Sequence, residues 1–383
     1  MPSLAKAREL LVIRLDEIGD FVLTSAFLRE LRRNAPLARI TLVANHAVLT
    51  LANNCPYVNE VIAFDQERPG HRLWRVLRRR VRAFRMRLKT FRGRKFDLVL
   101  LPRRGTDIYA EQFLAHLWAG SAAIAACRDE LVAPSNSSEH AFTTAHYFDN
   151  PRVEHEVHHA LSFLRWCGGN PESDKLEVWP AQSEWTFARD LLEKHFSRKG
   201  PLIILHPSGG REVLKQWPAD RFQTLLKEMQ NKMAVECLVV GGADEPWIGE
   251  LFPSSQARGV LNVAGQLGLG QLAAIIAAAD LFIGCDSGPM HLAAATGVPV
   301  LAIFGPTSQI RFHPHSPQAE IVSLQMECSP DRKGTFQDRC SKCIYDSPHC
   351  LTELPVGVVL AHALSRLIAL GFKENVGHAG STA

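Results

Sequence analysis

The 383-residue chain has no run of 18 or more apolar residues, so no segment is built to cross a bilayer as a helix. Its first residues, MPSLAKARELLVIRL, lack the apolar core and small-residue cleavage site of a secretory leader. A cytoplasmic location is therefore expected. The nine cysteines are expected to be reduced or metal-bound rather than paired in disulfides. Acid is also missing where base is dense. Between Arg68 and Lys95 there are thirteen Arg or Lys and no Asp or Glu. Few aromatics accompany that basic run and no nucleic-acid module surrounds it, so nucleic acid is not an expected partner.

What the chain does have is enough apolar content, 46%, for two cores of ordinary size. Short β-branched runs alternate with helical patterns throughout. In the first half strands are predicted near 9–15, 39–44, 58–64, 96–102 and 121–126, with a helix over 154–167. The stretch 167–184, rich in Gly, Pro and charge, reads as a linker. The pattern then restarts at PLIILHPSGG, with further strands near 235–241, 260–263, 280–285, 299–304 and 320–324. This is the alternation of a doubly wound parallel sheet, made twice. Such sheets bind ligands at the carboxyl ends of their strands.

Within the basic run, Leu73, Leu77, Val81, Phe84, Leu88 and Phe91 recur at steps of three and four, the pattern of an amphipathic helix. Two readings stand: a core-packed helix with a solvated cationic face, or a surface for anionic lipid headgroups or a phosphorylated acceptor.

Three turns could carry chemistry. RLDEIGDFVLTSAFLREL follows the first strand and places Asp16, Glu17 and Asp20 around Gly19. In LHPSGGREVLKQWPADRF, a strand ends at His206. The amides of Gly209 and Gly210 can approach an anion, Ser208 adds a hydroxyl, and Lys215 adds a cation. In LFIGCDSGPMHLAAATG, Asp286-Ser287-Gly288-Pro289 opens a small-residue helix whose N-terminus suits a diphosphate. Neither of the last two turns follows the Walker A or G-x-G-x-x-G pattern, so P-loop and dinucleotide redox chemistry lack their signatures. HEVHH at 155–159 formally matches H-E-x-x-H, but its flanks read as an amphipathic helix at a domain edge. Cys328, Cys340, Cys343 and Cys350 cluster late. Their Cys-x2-Cys pair with outlying partners has donors for zinc, yet the spacing is irregular and reduced thiols in a loop are the alternative.

Four segments together resemble glycosyltransferase family 9, the ADP-heptose:lipopolysaccharide heptosyltransferases: LLVIRLDEIGDFVLTSAFLREL, LHPSGGREVLKQWPADRF, VVGGADE and DLFIGCDSGPMHLAAATGVPVLAIFGPT. The HEVHHALSFLRWCGG helix is similar to a family segment that starts at a histidine. The resemblance implies an α/β GT-B fold, two Rossmann-like domains facing each other across a cleft. An acceptor-binding domain is expected over 1–180 and a donor-binding domain over 181–354. A helix and tail over 355–383 are expected to cross back to the first. The implied reaction is an inverting, metal-independent transfer of heptose or a related sugar from a nucleotide-sugar, ADP-heptose above all, to a lipopolysaccharide-core or other glycan acceptor.

By the same resemblance Asp20 is the expected general base. Ser208, Gly209 and Lys215 match donor-phosphate positions, and Asp286 the residue that holds the donor sugar. Ser287, Gly288 and His291 lie beside the diphosphate, and Gly242 to Glu245 near adenine and ribose. Arg14, Asp16, Glu17 and Arg103 are expected around the acceptor. For Asp20 the alternative is a helix N-cap. No cofactor is expected beyond the donor itself, and the membrane's inner face is an expected docking surface for the basic helix. A nucleotide-sugar epimerase or hydrolase on the same scaffold, or a non-catalytic nucleotide-sugar-binding protein, remain as alternatives.

Overall fold

The computed structural model describes residues 4–64, 72–104, 108–120, 122–127, 145–150, 152–210, 213–255, 258–332, 340 and 342–375. The start of the basic run, residues 65–71, lies outside them, and the side chains of 72–76 are likewise not described. The chain divides into two units, Met1–Trp179 and Pro180–Ala383.

The first unit is one parallel sheet of six strands. β1 (Glu9–Arg14), β2 (Arg39–Ala44), β3 (Glu60–Ala63), β4 (Leu98–Leu101), β5 (Ala123–Cys127) and β6 (Ala145–Phe148) are arranged 3-2-1-4-5-6. β1 is central, with Leu10 opposite Ile40 on one side and Leu98 on the other. Its Leu10, Leu11, Val12 and Ile13 are all fully buried, because helices cover both faces of a parallel sheet. The helices Ser25–Asn34 and Glu156–Trp166 pack together there, with the rings of Phe27 and Phe163 6.2 Å apart.

The second unit repeats the plan. β7 (Leu202–His206), β8 (Glu236–Val239), β9 (Val260–Asn262), β10 (Leu281–Cys285), β11 (Val300–Ile303) and β12 (Ala319–Val322) lie in the order 12-11-10-7-8-9. Renumbered within the unit, that is again 3-2-1-4-5-6. In both sheets the order therefore reverses between the first and fourth strands, and a crevice opens there at the carboxyl ends. The switch points are β1/β4 and β7/β10.

The final helix, Val356–Ala369, packs on the helix Ala219–Lys232 and on β12 of its own unit. Its Val359, Ala363, Leu364 and Leu367 complete that unit's core, which is where its apolar face finds partners. The helix Arg72–Lys89 is also turned differently from a core-packed helix. Among its described side chains Ala83 is the buried one, and Trp118 Nε1 donates to the Ala83 carbonyl at 3.1 Å. Leu77, Val81, Phe84 and Leu88 point outward, each 43% to 54% exposed, while Phe91 beyond the helix is buried.

Candidate active site

In the first unit, the chain leaves β1 at Arg14 and enters the helix Ile18–Leu23 through Leu15-Asp16-Glu17. Glu17, in extended backbone, is the N-cap residue, and it makes no side-chain cap. Asp20 sits inside the first turn, so the N-cap alternative does not apply to it. Its carboxylate lies 3.6 Å from Arg14 Nη2. Arg14 also holds Asp16, Nε to Oδ2 at 2.8 Å, and Arg103 from the end of β4 holds the other Asp16 oxygen at 2.6 Å. The switch point thus gathers alternating charge: Arg103, Asp16, Arg14, Asp20.

That arrangement sorts the four residues expected around an acceptor. Arg14 and Asp16 are buried and committed to each other, and Arg14 Nη1 donates to the Pro102 carbonyl at 3.2 Å. Arg14 is therefore a brace for the carboxylates rather than a surface contact. Glu17 and Arg103 remain partly exposed. Asp20 keeps 38% of its side chain open. The protein packed around it still raises its pKa, as does the neighbouring Asp16 carboxylate. Arg14 and Arg103 pull the other way, Glu156 adds to the rise, and the result is about 6. A carboxyl poised there is ionised at neutral pH yet basic enough to take a proton.

Glu156 was not singled out from the sequence. It opens the helix Glu156–Trp166, next to His155, whose ring accepts from the Val157 amide at 3.2 Å as the N-cap. The H-E-x-x-H pattern is accounted for locally by that cap.

In the second unit, paired strands bring two loops side by side. Gly284 of β10 is opposite His206 of β7, and a Cβ on Gly284 would stand 2.9 Å from the His206 carbonyl oxygen. Lys215, at the end of a 3-10 turn after β7, reaches Asp286 after β10, Nζ to Oδ2 at 2.9 Å. Trp217 N–H donates to Cys285 Sγ at 3.3 Å and fixes the loop behind Lys215. Gly209 allows the loop to fold back: a Cβ there would meet the Lys215 backbone and Cβ at 2.8 Å.

The helix Gly288–Thr296 starts at this switch point. Ser287 is its N-cap residue but makes no side-chain cap. Its hydroxyl lies 3.0 Å from the Cys285 carbonyl and 3.2 Å from His206 Nδ1. The first amides of the helix are thus left for another acceptor, as an anion site requires. Two buried histidines flank it. Burial lowers His206 to about 4 against the pull of Glu245, and lowers His291 to about 4 against the pull of Asp286. Both rings are neutral, and His291 Nδ1 has no partner among the described residues. Among the described residues, Lys215 is the lysine that this pair of loops brings to Asp286.

Ser208 is more engaged than its place in a phosphate turn implies. Its hydroxyl donates to Glu245 Oε1 and accepts from the Gly210 amide at 2.9 Å. Glu245 Oε2 in turn accepts from the Gly242 amide at 2.6 Å. Three of the expected donor residues therefore form one network across the ends of β7 and β8. A further loop follows β11, of which the quoted motif reaches only Thr307. There Thr307, Ser308 and Arg311 are buried, and Ser308 ties to Asp331.

Two Rossmann-ordered units, one with a poised carboxylate at its switch point and one with a lysine and an uncapped helix terminus, place the chain in the GT-B class of glycosyltransferases. The family model described as glycosyltransferase family 9 (heptosyltransferase) matches residues 120–341. Lipopolysaccharide heptosyltransferase 3 of Escherichia coli is 24% identical over 301 residues, 78% of this chain and 84% of that protein. A family 9 glycosyl transferase from Veillonella parvula has a similar fold, with a TM-score of 0.71 and 21% identity over 94% of this chain and 97% of its own. The E. coli ADP-heptose lps heptosyltransferase II does too, at 0.69 and 19% over 95% and 99%. The chain belongs to glycosyltransferase family 9, the heptosyltransferase family.

Proposed function

We propose that the chain transfers a heptose from ADP-heptose to the lipopolysaccharide core, with inversion and with no metal in the reaction. The second unit holds the donor and the first takes the acceptor. The acceptor hydroxyl oxygen attacks the anomeric carbon while Asp20 removes its proton. The bond from that carbon to the diphosphate oxygen breaks, and ADP leaves with the electron pair. Lys215 and the amides opening the helix Gly288–Thr296 balance the charge that grows on the diphosphate, the part a metal plays elsewhere. Asp286 orients the sugar, and the Ser208–Glu245 network re-pairs around the nucleotide.

The observation that carries this reading is Asp20, a carboxyl held at about 6 at the end of the central strand. The relatives' names supply the sugar and the acceptor, among them the E. coli ADP-heptose lps heptosyltransferase II. The test is a product assay with ADP-heptose and a truncated lipopolysaccharide core. The expected result is a mass increase of one heptose on the core. Free epimerised sugar, hydrolysed donor, or binding without turnover would each contradict it.

The acceptor is lipid-linked in this reading, and we infer that the helix Arg72–Lys89 meets the anionic membrane surface. No helix among the described residues is long and apolar enough to cross a membrane. The helix instead turns Leu77, Val81, Phe84 and Leu88 outward, with Arg78, Arg82, Arg85 and Lys89 exposed beside them. An apolar stripe edged by cations suits the headgroup boundary, where each cation near an anionic surface contributes about 1 kcal/mol. Reversing charge at Arg78, Arg82 and Arg85 should abolish most sedimentation with anionic vesicles and leave ADP binding intact. Unchanged sedimentation would remove the helix from this role.

A further inference from the structure

The helix Gly288–Thr296 has few amides to offer a ligand, and the reason lies in its sequence. Its first three residues are Gly288, Pro289 and Met290. The first bond of the helix runs from the His291 amide to the Ser287 carbonyl, at 3.4 Å. Amides before it find no acceptor within a helix, and Pro289 has no N–H. Gly288 and Met290 therefore carry the two N–H groups of these first three positions. A serine at the N-cap ordinarily takes one such group, since its hydroxyl oxygen accepts from the second or third helical residue. Here the second is proline, so Met290 is the amide that Ser287 could cap.

Ser287 does not cap it. Its hydroxyl donates to the Cys285 carbonyl at 3.0 Å and lies 3.2 Å from His206 Nδ1. A hydroxyl has one hydrogen. With that hydrogen on the carbonyl, the oxygen is left as an acceptor and the ring nitrogen becomes its donor. His206 is buried at the end of β7 with its ring neutral, so it has one N–H to give. The sheet register explains the reach. His206 stands opposite Gly284, where a Cβ would come within 3.1 Å of the His206 Cβ. Two donors, the His206 ring and the Met290 amide, compete for one oxygen, and the ring holds it. The buried His291, just after Met290, also keeps an Nδ1 with no partner among the described residues.

Given a diphosphate at this terminus, as proposed, we infer that His206 is a positioning residue for the donor: by engaging the Ser287 hydroxyl it keeps the Met290 amide open to a phosphate oxygen. Without the ring the hydroxyl turns onto the helix, and one of the two amides closes on the protein itself. An amide bonded to a phosphate oxygen is charge-assisted, roughly twice as strong as the neutral cap that would replace it. The ring needs no contact with the donor to act in this way.

The test is ADP affinity by calorimetry on the full chain, with a melting curve for each variant. His206→Leu has similar bulk and no donor. It should weaken ADP binding about tenfold, the value of one hydrogen bond to a charged group. His206→Asn carries an N–H at the same remove from the backbone as Nδ1 and should stay within about threefold of wild type. The deciding comparison removes the hydroxyl. In a Ser287→Ala background nothing is left to cap Met290, so adding His206→Leu should weaken binding less than about twofold. Should the leucine variant fail to fold, His206→Ala serves in both backgrounds. An equal loss in the two backgrounds would overturn the role, because the ring would then act by contact or through folding; unchanged affinity in folded His206→Leu would overturn it too. Lys215→Met separates this role from the donor reading itself. If Lys215→Met weakens ADP binding and His206→Leu does not, the role of His206 alone fails. If neither does, the diphosphate binds elsewhere and both fail.

Discussion

Replacing Asp20 by Asn is expected to lower the transfer rate by about 10²–10⁴-fold, the span that general bases contribute, while ADP binds as it does to wild type. The variant keeps the shape of the side chain and removes only its capacity to take a proton. Arg14 stays paired through Asp16, so the brace survives. Stability gives an independent readout. The folded-state pKa of Asp20 is raised from 3.8 to about 6, so the native state binds this proton more tightly than the unfolded chain. Its contribution to stability is present at low pH and is lost as pH rises through about 6. An Asn pays no such penalty. Asp20→Asn should therefore melt no lower than wild type at pH 7.5, though exposure to solvent screens the effect. A variant with lost activity, retained ADP affinity and an unlowered melting temperature has lost chemistry alone. A parallel loss of ADP binding would mean that Asp20 serves the donor.

The second large effect is expected at Lys215. Its ammonium pairs with Asp286, next to the uncapped helix terminus where the diphosphate is proposed to bind. Lys215→Met should weaken ADP binding by about 10–10²-fold, the value of one or two hydrogen bonds to a charged group. Turnover at saturating donor should fall by about 10²–10³-fold, because the leaving diphosphate gains charge in the transition state. The substitution also strands the buried Asp286 carboxylate, at a cost of about 3–5 kcal/mol of stability if nothing compensates. Calorimetry must therefore be read with a melting curve. Lys215→Arg keeps the charge and should recover folding and part of the ADP affinity. ADP affinity equal to wild type in a folded Lys215→Met protein would remove this residue from the phosphate site.

Much of this architecture could be read from residues alone, and the reasons differ by element. Buried parallel strands announce themselves as unbroken apolar runs, and ELLVIR, RITLVA and LFIGC fall where they were predicted. β6, Ala145–Phe148, was missed because four residues at a sheet edge, three of them polar or aromatic, carry no such run. Periodicity showed that residues 73–91 are amphipathic, but not which face packs. Ala83 and the neighbouring Trp118 decide that, and the apolar stripe faces outward.

At the sites, the loops were legible because glycine, serine and lysine follow strand ends, but their internal pairing was not. The bond from Ser208 to Glu245 spans 37 positions. The electrostatic contribution of Glu156 to Asp20 depends on a helix 136 residues away. The resemblance put Arg14 around the acceptor; only the fold reveals it buried between two aspartates.

The most direct measurement is the pH dependence of kcat/KM for heptose transfer to a soluble core acceptor. The proposed mechanism requires deprotonated Asp20, so the rate should fall tenfold per pH unit below an apparent pKa near 6 and level off above it. A rate that stays flat from neutral pH down to about 4 would show that no carboxyl of this kind controls the reaction.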